Sequence, residues 1–148
     1  MGFLGFGKKA ISKKTAAARE TLGRIENKDT VEAGIALGVW VTFADKKADE
    51  SELLQLEKCI KNEDAFATYI ADVPAMIDKW IGKFKDFHRG AVLDAKKEIA
   101  DLKGDPTNAA KVLVIGLSVA DDDGIGEDEK AVLNEAATIR GLRLENYL

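Results

Sequence analysis

One cysteine, one histidine and two prolines among 148 residues remove several options at the outset. With Cys59 alone, no disulfide forms within the chain, and a free thiol fits a reducing compartment, so the expected location is cytoplasmic. Cys59 and His88 are too few, and too far apart in sequence, for a zinc site built from sulfur and nitrogen ligands of one chain. His88 would also have to serve any Ser-His-Asp or Cys-His pair, yet in "KDFHRG" it reads as the end of an amphipathic helix. Two prolines and no low-complexity stretch leave no place for a flexible linker or a second domain. Aromatic residues make up 7% of the chain and do not interleave with arginine, while 26 acids against 22 bases give a net charge of −4; nucleic acid is not an expected partner. No segment sustains strand alternation, so no glycine-rich phosphate loop follows a strand.

The start, "MGFLGFGKKAISKK", lacks the long apolar core of a secretory signal and puts its lysines after its apolar residues. Met1-Gly2 resembles a myristoylation start, but Phe6 stands where Ser or Thr is required. Residues 1–25 are expected to form an amphipathic segment that packs on, or leads into, the domain of residues 26–148. Phe3, Leu4 and Phe6 followed by Lys8, Lys9, Lys13 and Lys14 also suit peripheral contact with an anionic membrane.

What the chain has in quantity is apolar helix: 46% of residues are hydrophobic and 32% charged, enough for one real core. Val31, Ile35, Val39 and Phe43 recur every four residues, with Ala36 and Trp40 beside them, which predicts a helix over 30–43 with one core face. "DPTNAAKVLVIGLSVA" has Asp105 as N-cap and Pro106 at the first helical position, then turns apolar on nearly every side, as a central buried helix would. "ESELLQLEKCI", "EDAFATYIA", "PAMIDKWIGKFKDF", "GAVLDAKKEIADLK" and "EDEKAVLNEAATIRG" each read as amphipathic helix, with Gly90 and Gly104 as breaks and a short turn after Gly141. Trp40 and Trp80 read as core.

A single fixed offset pairs Thr30 with Thr107, Ile35 with Val112, Trp40 with Leu117, Asp45 with Asp122, Glu52 with Glu129 and Leu56 with Leu133. Both halves then read as apolar helix, acidic loop, helix. The expected fold is all-α: a compact bundle of about seven helices with an internal pseudo-two-fold helical-hairpin repeat, in which the two acidic loops lie side by side.

Those loops carry the candidate chemistry. Hard divalent cations take oxygen ligands, and crowded carboxylates either raise one another's pKa or recruit a cation. Asp122, Asp123, Glu127 and Glu129 in "DDDGIGEDEK", with Asp45, Asp49 and Glu52 in the first loop, are the candidate ligands for Ca²⁺, Mg²⁺ or Zn²⁺. An EF-hand is excluded: placing Gly124 at the sixth loop position puts Val119 first and Lys130 last, and placing Gly126 there puts Ile125 fifth and Val132 last. The competing reading needs no ion. Asp49 and Glu52 have the spacing of a capping box, and acids in the first turn of a helix are stabilised by its dipole. The residue pattern leaves both readings open.

"ENKDTVEAGIALGVWVTFADKKADESELLQL" and "AAKVLVIGLSVADDDGIGEDEKAVLNEAATIRGL" resemble the two halves of the TerB family of bacterial tellurite-resistance proteins. The likeness covers almost the whole chain, and its most specific element is Asp123-Gly124 followed by Glu129 at the opening of an apolar helix. The resemblance implies an all-helical fold with acidic clusters that bind divalent metal. It also implies a stress-response role without firm enzymatic activity, beside TerC-like membrane proteins and TerD-like proteins at the inner face of the cell membrane. Carried over by position, Asp123 and Glu129 match the family's pattern, with Asp122 and Glu127 as neighbours. The first loop departs, because Lys46-Lys47 stands where the family has Asp-Gly, leaving Asp45, Asp49 and Glu52. Besides a metal-responsive binding module, two further classes are consistent with these residues: a metal-independent helical adaptor, and a two-metal hydrolase that lacks a histidine or lysine among its acids for proton transfer.

Overall fold

Asn27 starts the first helix by accepting hydrogen bonds from the backbone N–H groups of Asp29 and Thr30 at 2.8 and 3.3 Å, which satisfies donors that the first turn leaves without partners. The structure, a computed structural model, describes residues 22–102, 106–120 and 125–148. Among them are six α-helices: α1 Lys28–Thr42, α2 Glu50–Lys61, α3 Val73–Asp86, α4 His88–Ala100, α5 Pro106–Ala120 and α6 Glu127–Ile139. Two 3-10 helices, Asp64–Tyr69 and Leu144–Asn146, complete them, and no strand occurs among the described residues. The all-α reading holds. The expected caps at Asp105 and Gly104, and the N-terminal segment up to residue 21, lie outside the described residues.

The periodicity of α1 predicts one core face, but the structure buries nearly the whole helix from Thr30 to Val41, leaving only Glu32 part-exposed. The reason is its neighbours: α1 packs against all five other α-helices, most extensively against α5. The hub is therefore α1 together with α5, rather than α5 alone. Small residues on α1 (Ala33, Gly34, Ala36 and Gly38) are spread around the helix among the large ones, and a Cβ at Gly34 would touch Ile115 and Phe66 while one at Gly38 would touch Val119 and Leu56. α2 and α6 flank this pair, each packing on both α1 and α5, while α3 and α4 pack on α1 and on each other. Leu22 and Ile25 are also buried, and the Ile25 N–H donates to the Ala65 carbonyl at 2.8 Å.

Three local expectations are corrected. "EDAFATYIA" winds as a 3-10 helix, Asp64–Tyr69, because Glu63 caps the Ala65 N–H and successive i→i+3 bonds tighten the segment, burying adjacent Ala65 and Phe66. Gly90 does not mark a break; the interruption is Phe87, whose φ of −156° and ψ of 87° end α3 and place His88 at the start of α4. Gly90 lies inside α4 because the Phe87 ring covers it, so that a Cβ there would sit 2.6 Å from Phe87 Cδ2. His88 is consequently a helix-opening residue: its ring Nε2–H donates to the Phe43 carbonyl at 3.1 Å, and the ring packs edge-on against Phe84 at 5.4 Å.

The tryptophans are core, as expected, but Trp80 also anchors a polar network. Its Nε1–H donates to Glu32 Oε2 at 2.9 Å, and the Lys79 ammonium donates to the same oxygen at 2.6 Å. Burial pushes the Glu32 carboxyl up, and the hydrogen bonds from Lys79 and Trp80 with the charges of Lys79 and Lys28 more than offset it, leaving it below its ordinary value. Glu98 is held above its ordinary value, first by desolvation and then by the neighbouring Glu32 charge.

Candidate functional site

The two acidic helix starts are built alike. At α2, Asp49 Oδ1 accepts the Glu52 N–H at 2.8 Å and Glu52 Oε1 accepts the Asp49 N–H at 2.9 Å, the capping box that the spacing predicts. At α6, Glu129 Oε1 accepts the N–H of Gly126 at 2.8 Å. Gly126 has no side chain to return the bond, so only half of the box forms there. Each glutamate is the third residue after its cap and is fixed by the start of its own helix.

Both glutamates open onto one cavity. It has a volume of about 430 Å³ and lies among α2, the C-terminal ends of α1 and α5, and the first turn of α6. Thr42 supplies the α1 end, Ser118, Val119 and Ala120 the α5 end, and Gln55, Cys59 and Glu63 the wall beyond Glu52. Two helix C-termini carry partial negative charge toward the region where they end. Together with Glu52 and Glu129 they make its electrostatics favourable to a cation; among the described residues Lys58 is the one basic side chain on the lining.

The other candidate ligands are placed differently. Asp45 and Asp49 are exposed and do not line the cavity; Asp45 Oδ1 accepts the Lys47 N–H at 3.3 Å, and Asp49 serves the α2 cap. Glu127 is exposed in the first turn of α6 and is also off the lining. Asp122 and Asp123 lie outside the described residues. Among the described residues, no three His, Cys, Asp or Glu side chains converge as a metal would require. Of the seven candidates, then, the described structure unites Glu52 with Glu129. Those two supply fewer oxygens than the six to eight that Ca²⁺ takes, so a bound ion needs further ligands from the adjoining chain or from water.

Residues that the acid pattern did not single out complete the cavity. Gln55 and Cys59 fall three and seven positions after the exposed Glu52, on the same face of α2, a spacing legible in the sequence. Lys46 adopts a left-handed backbone, φ 77°, and lines a different pocket, against α4. Lys46 is thus not on the wall that Glu52 and Glu129 share.

Compared with protein-family models, with curated proteins and with solved structures, the chain matches none. No helix among the described residues is long and apolar enough to cross a membrane.

Proposed function

We propose that this chain is a TerB-like, non-enzymatic binding module in which a divalent cation at the cavity shared by α2 and α6 governs contact with a partner protein. The observation that carries the proposal is the convergence of Glu52 and Glu129, two acids paired by the common sequence offset, on one open cavity flanked by two helix C-termini. Ca²⁺ and Mg²⁺ prefer oxygen ligands of this kind. Ligands from Asp122 and Asp123, which follow the cavity-lining Ala120 in the chain, would complete the shell.

The duplicated hairpin belongs to the same proposal. It is supported by α2 and α6 each packing on both α1 and α5. The stress-resistance role, the TerC-like and TerD-like partners and a site of action at the inner membrane face follow from the family resemblance and are proposed with it.

A metal-independent adaptor is the second reading, favoured by the caps: Asp49 and Glu52 are already engaged in stabilising α2 without an ion. Calorimetric titration of chelator-treated protein with Ca²⁺, Mg²⁺, Mn²⁺ and Zn²⁺ separates the two. The module reading expects saturable heat from at least one ion, abolished in Glu52→Gln/Glu129→Gln and weakened in Asp123→Asn. Heats of dilution alone from a folded protein would leave the adaptor.

A further inference from the structure

Lys46 is the residue whose placement the acidic cavity leaves unexplained. A lysine at φ 77° occupies a region that non-glycine residues rarely adopt and that adds backbone strain. The strain is held in place: the Lys46 N–H donates to the Phe43 carbonyl at 2.8 Å, the same oxygen takes the His88 Nε2–H at 3.1 Å, and Phe43 stacks on Phe84 at 5.6 Å. The turn after α1 is therefore braced against the start of α4. What the bracing presents is a pocket of about 400 Å³ lined by Lys46, His88, Arg89, Val92, Leu93 and Lys96, a size within the ordinary range for small-molecule sites.

The pocket's charge is one-sided in a chain whose net charge is −4. Among the described residues no acid lines it and none pairs with Lys46 or Arg89, whereas Lys96 is ion-paired to Glu135 of α6. It lies at the N-terminus of α4, a helix of 13 residues whose N-cap, Phe87, offers no side-chain hydrogen bond, so the positive end of the helix dipole adds to two unpaired cations. A guanidinium fork beside an ammonium and a helix start is the donor set that recognises phosphate oxygens. The remaining wall is apolar: Val92 is half-buried and Leu93 is 61% exposed.

We propose that the pocket between the Phe43–Lys46 turn and the start of α4, lined by Lys46, His88, Arg89 and Lys96, binds a phosphate-bearing anion whose apolar portion rests on Val92 and Leu93. Arg89 and Lys46 engage the phosphate oxygens, Lys96 is shared with Glu135, and His88 fixes the turn rather than the ligand. The site is separate from the acidic cavity, and its test does not depend on cation binding there.

Amide proton–nitrogen correlation spectra of the full chain, titrated at constant ionic strength, provide the test. The probes are inorganic phosphate, p-nitrophenyl phosphate, and phosphatidylcholine vesicles with and without phosphatidic acid, each repeated on Lys46→Gln/Arg89→Gln and on Lys46→Glu. Saturable shifts confined to residues around 43–46 and 88–96, tighter for the monoester than for inorganic phosphate and weakened about tenfold or more in the exposed-residue variants, are expected. Saturation by the soluble monoester alone identifies a soluble phosphate compound; line broadening by phosphatidic acid vesicles alone identifies a lipid headgroup. Absence of saturable shifts with every probe, or shifts equal in the wild type and in variants with intact spectra, would overturn the proposal.

Discussion

The same substitution, glycine to alanine, should have opposite effects at two helical positions. Gly82 lies within α3, and a Cβ there meets nothing within 4 Å. Alanine at this position restricts the unfolded chain and improves helix propensity without steric penalty, stabilising the protein by about 0.5–1 kcal/mol. Gly116 lies within α5, where a Cβ would sit 2.6 Å from Leu37 Cδ2, 2.8 Å from Leu37 Cγ and 3.1 Å from Leu133 Cδ2. Both leucines are fully buried, so neither has open space into which to swing. Overpacking of this kind costs about 1–3 kcal/mol and outweighs the propensity gain, for a net loss of about 1–2 kcal/mol. In a chain of this length 1 kcal/mol moves Tm by about 2–4 °C, so thermal and urea unfolding with far-UV circular dichroism resolve both changes. Gly116→Ala as stable as the wild type would refute the close approach of α1, α5 and α6.

Three further outcomes follow from individual groups. Thr30 Oγ1 is buried with no hydrogen-bond partner among the described residues, so the near-isosteric Thr30→Val should be neutral or stabilising by up to about 1–2 kcal/mol in urea unfolding. Asp49→Ala removes the side chain that caps α2 and should cost about 1 kcal/mol in the same assay, with or without chelator. Glu98, raised by burial and by Glu32, binds its proton more tightly when folded than when unfolded. Its ionisation therefore opposes folding: its contribution is most favourable at pH values below the unfolded carboxylate pKa and is lost as pH rises through the folded one. Glu98→Gln should accordingly stabilise the protein at neutral pH, with the gain shrinking to nothing in acid, as read from unfolding midpoints across pH.

The sequence read well wherever a signal was local. The Thr30–Phe43 periodicity, the Asp49–Glu52 spacing, Pro106 at a helix start and the core tryptophans each depend on near neighbours, and each appears in the structure. What escaped depends on tertiary packing. The burial of α1 on almost every side comes from five surrounding helices, which no one-face pattern encodes. Gly90 read as a helix stop because glycine commonly ends helices, whereas here it makes room for the Phe87 ring. The cavity was legible in part: a common sequence offset pairs Glu52 with Glu129, but Gln55, Cys59 and Glu63 entered through the facing direction of α2, and the turning of Lys46 toward α4 depends on a left-handed residue braced by His88.

If the starts of α2 and α6 serve one cation, as proposed, paramagnetic Mn²⁺ must reach both. At substoichiometric Mn²⁺, amide resonances of the first turns of α2, around Asp49–Glu52, and of α6, around Gly126–Glu129, should broaden together, together with those of Ser118–Ala120. The effect should vanish in Glu52→Gln/Glu129→Gln and be reversed by chelator. Broadening confined to one of the two helix starts, or spread evenly over the exposed acids of the whole surface, would contradict a shared site.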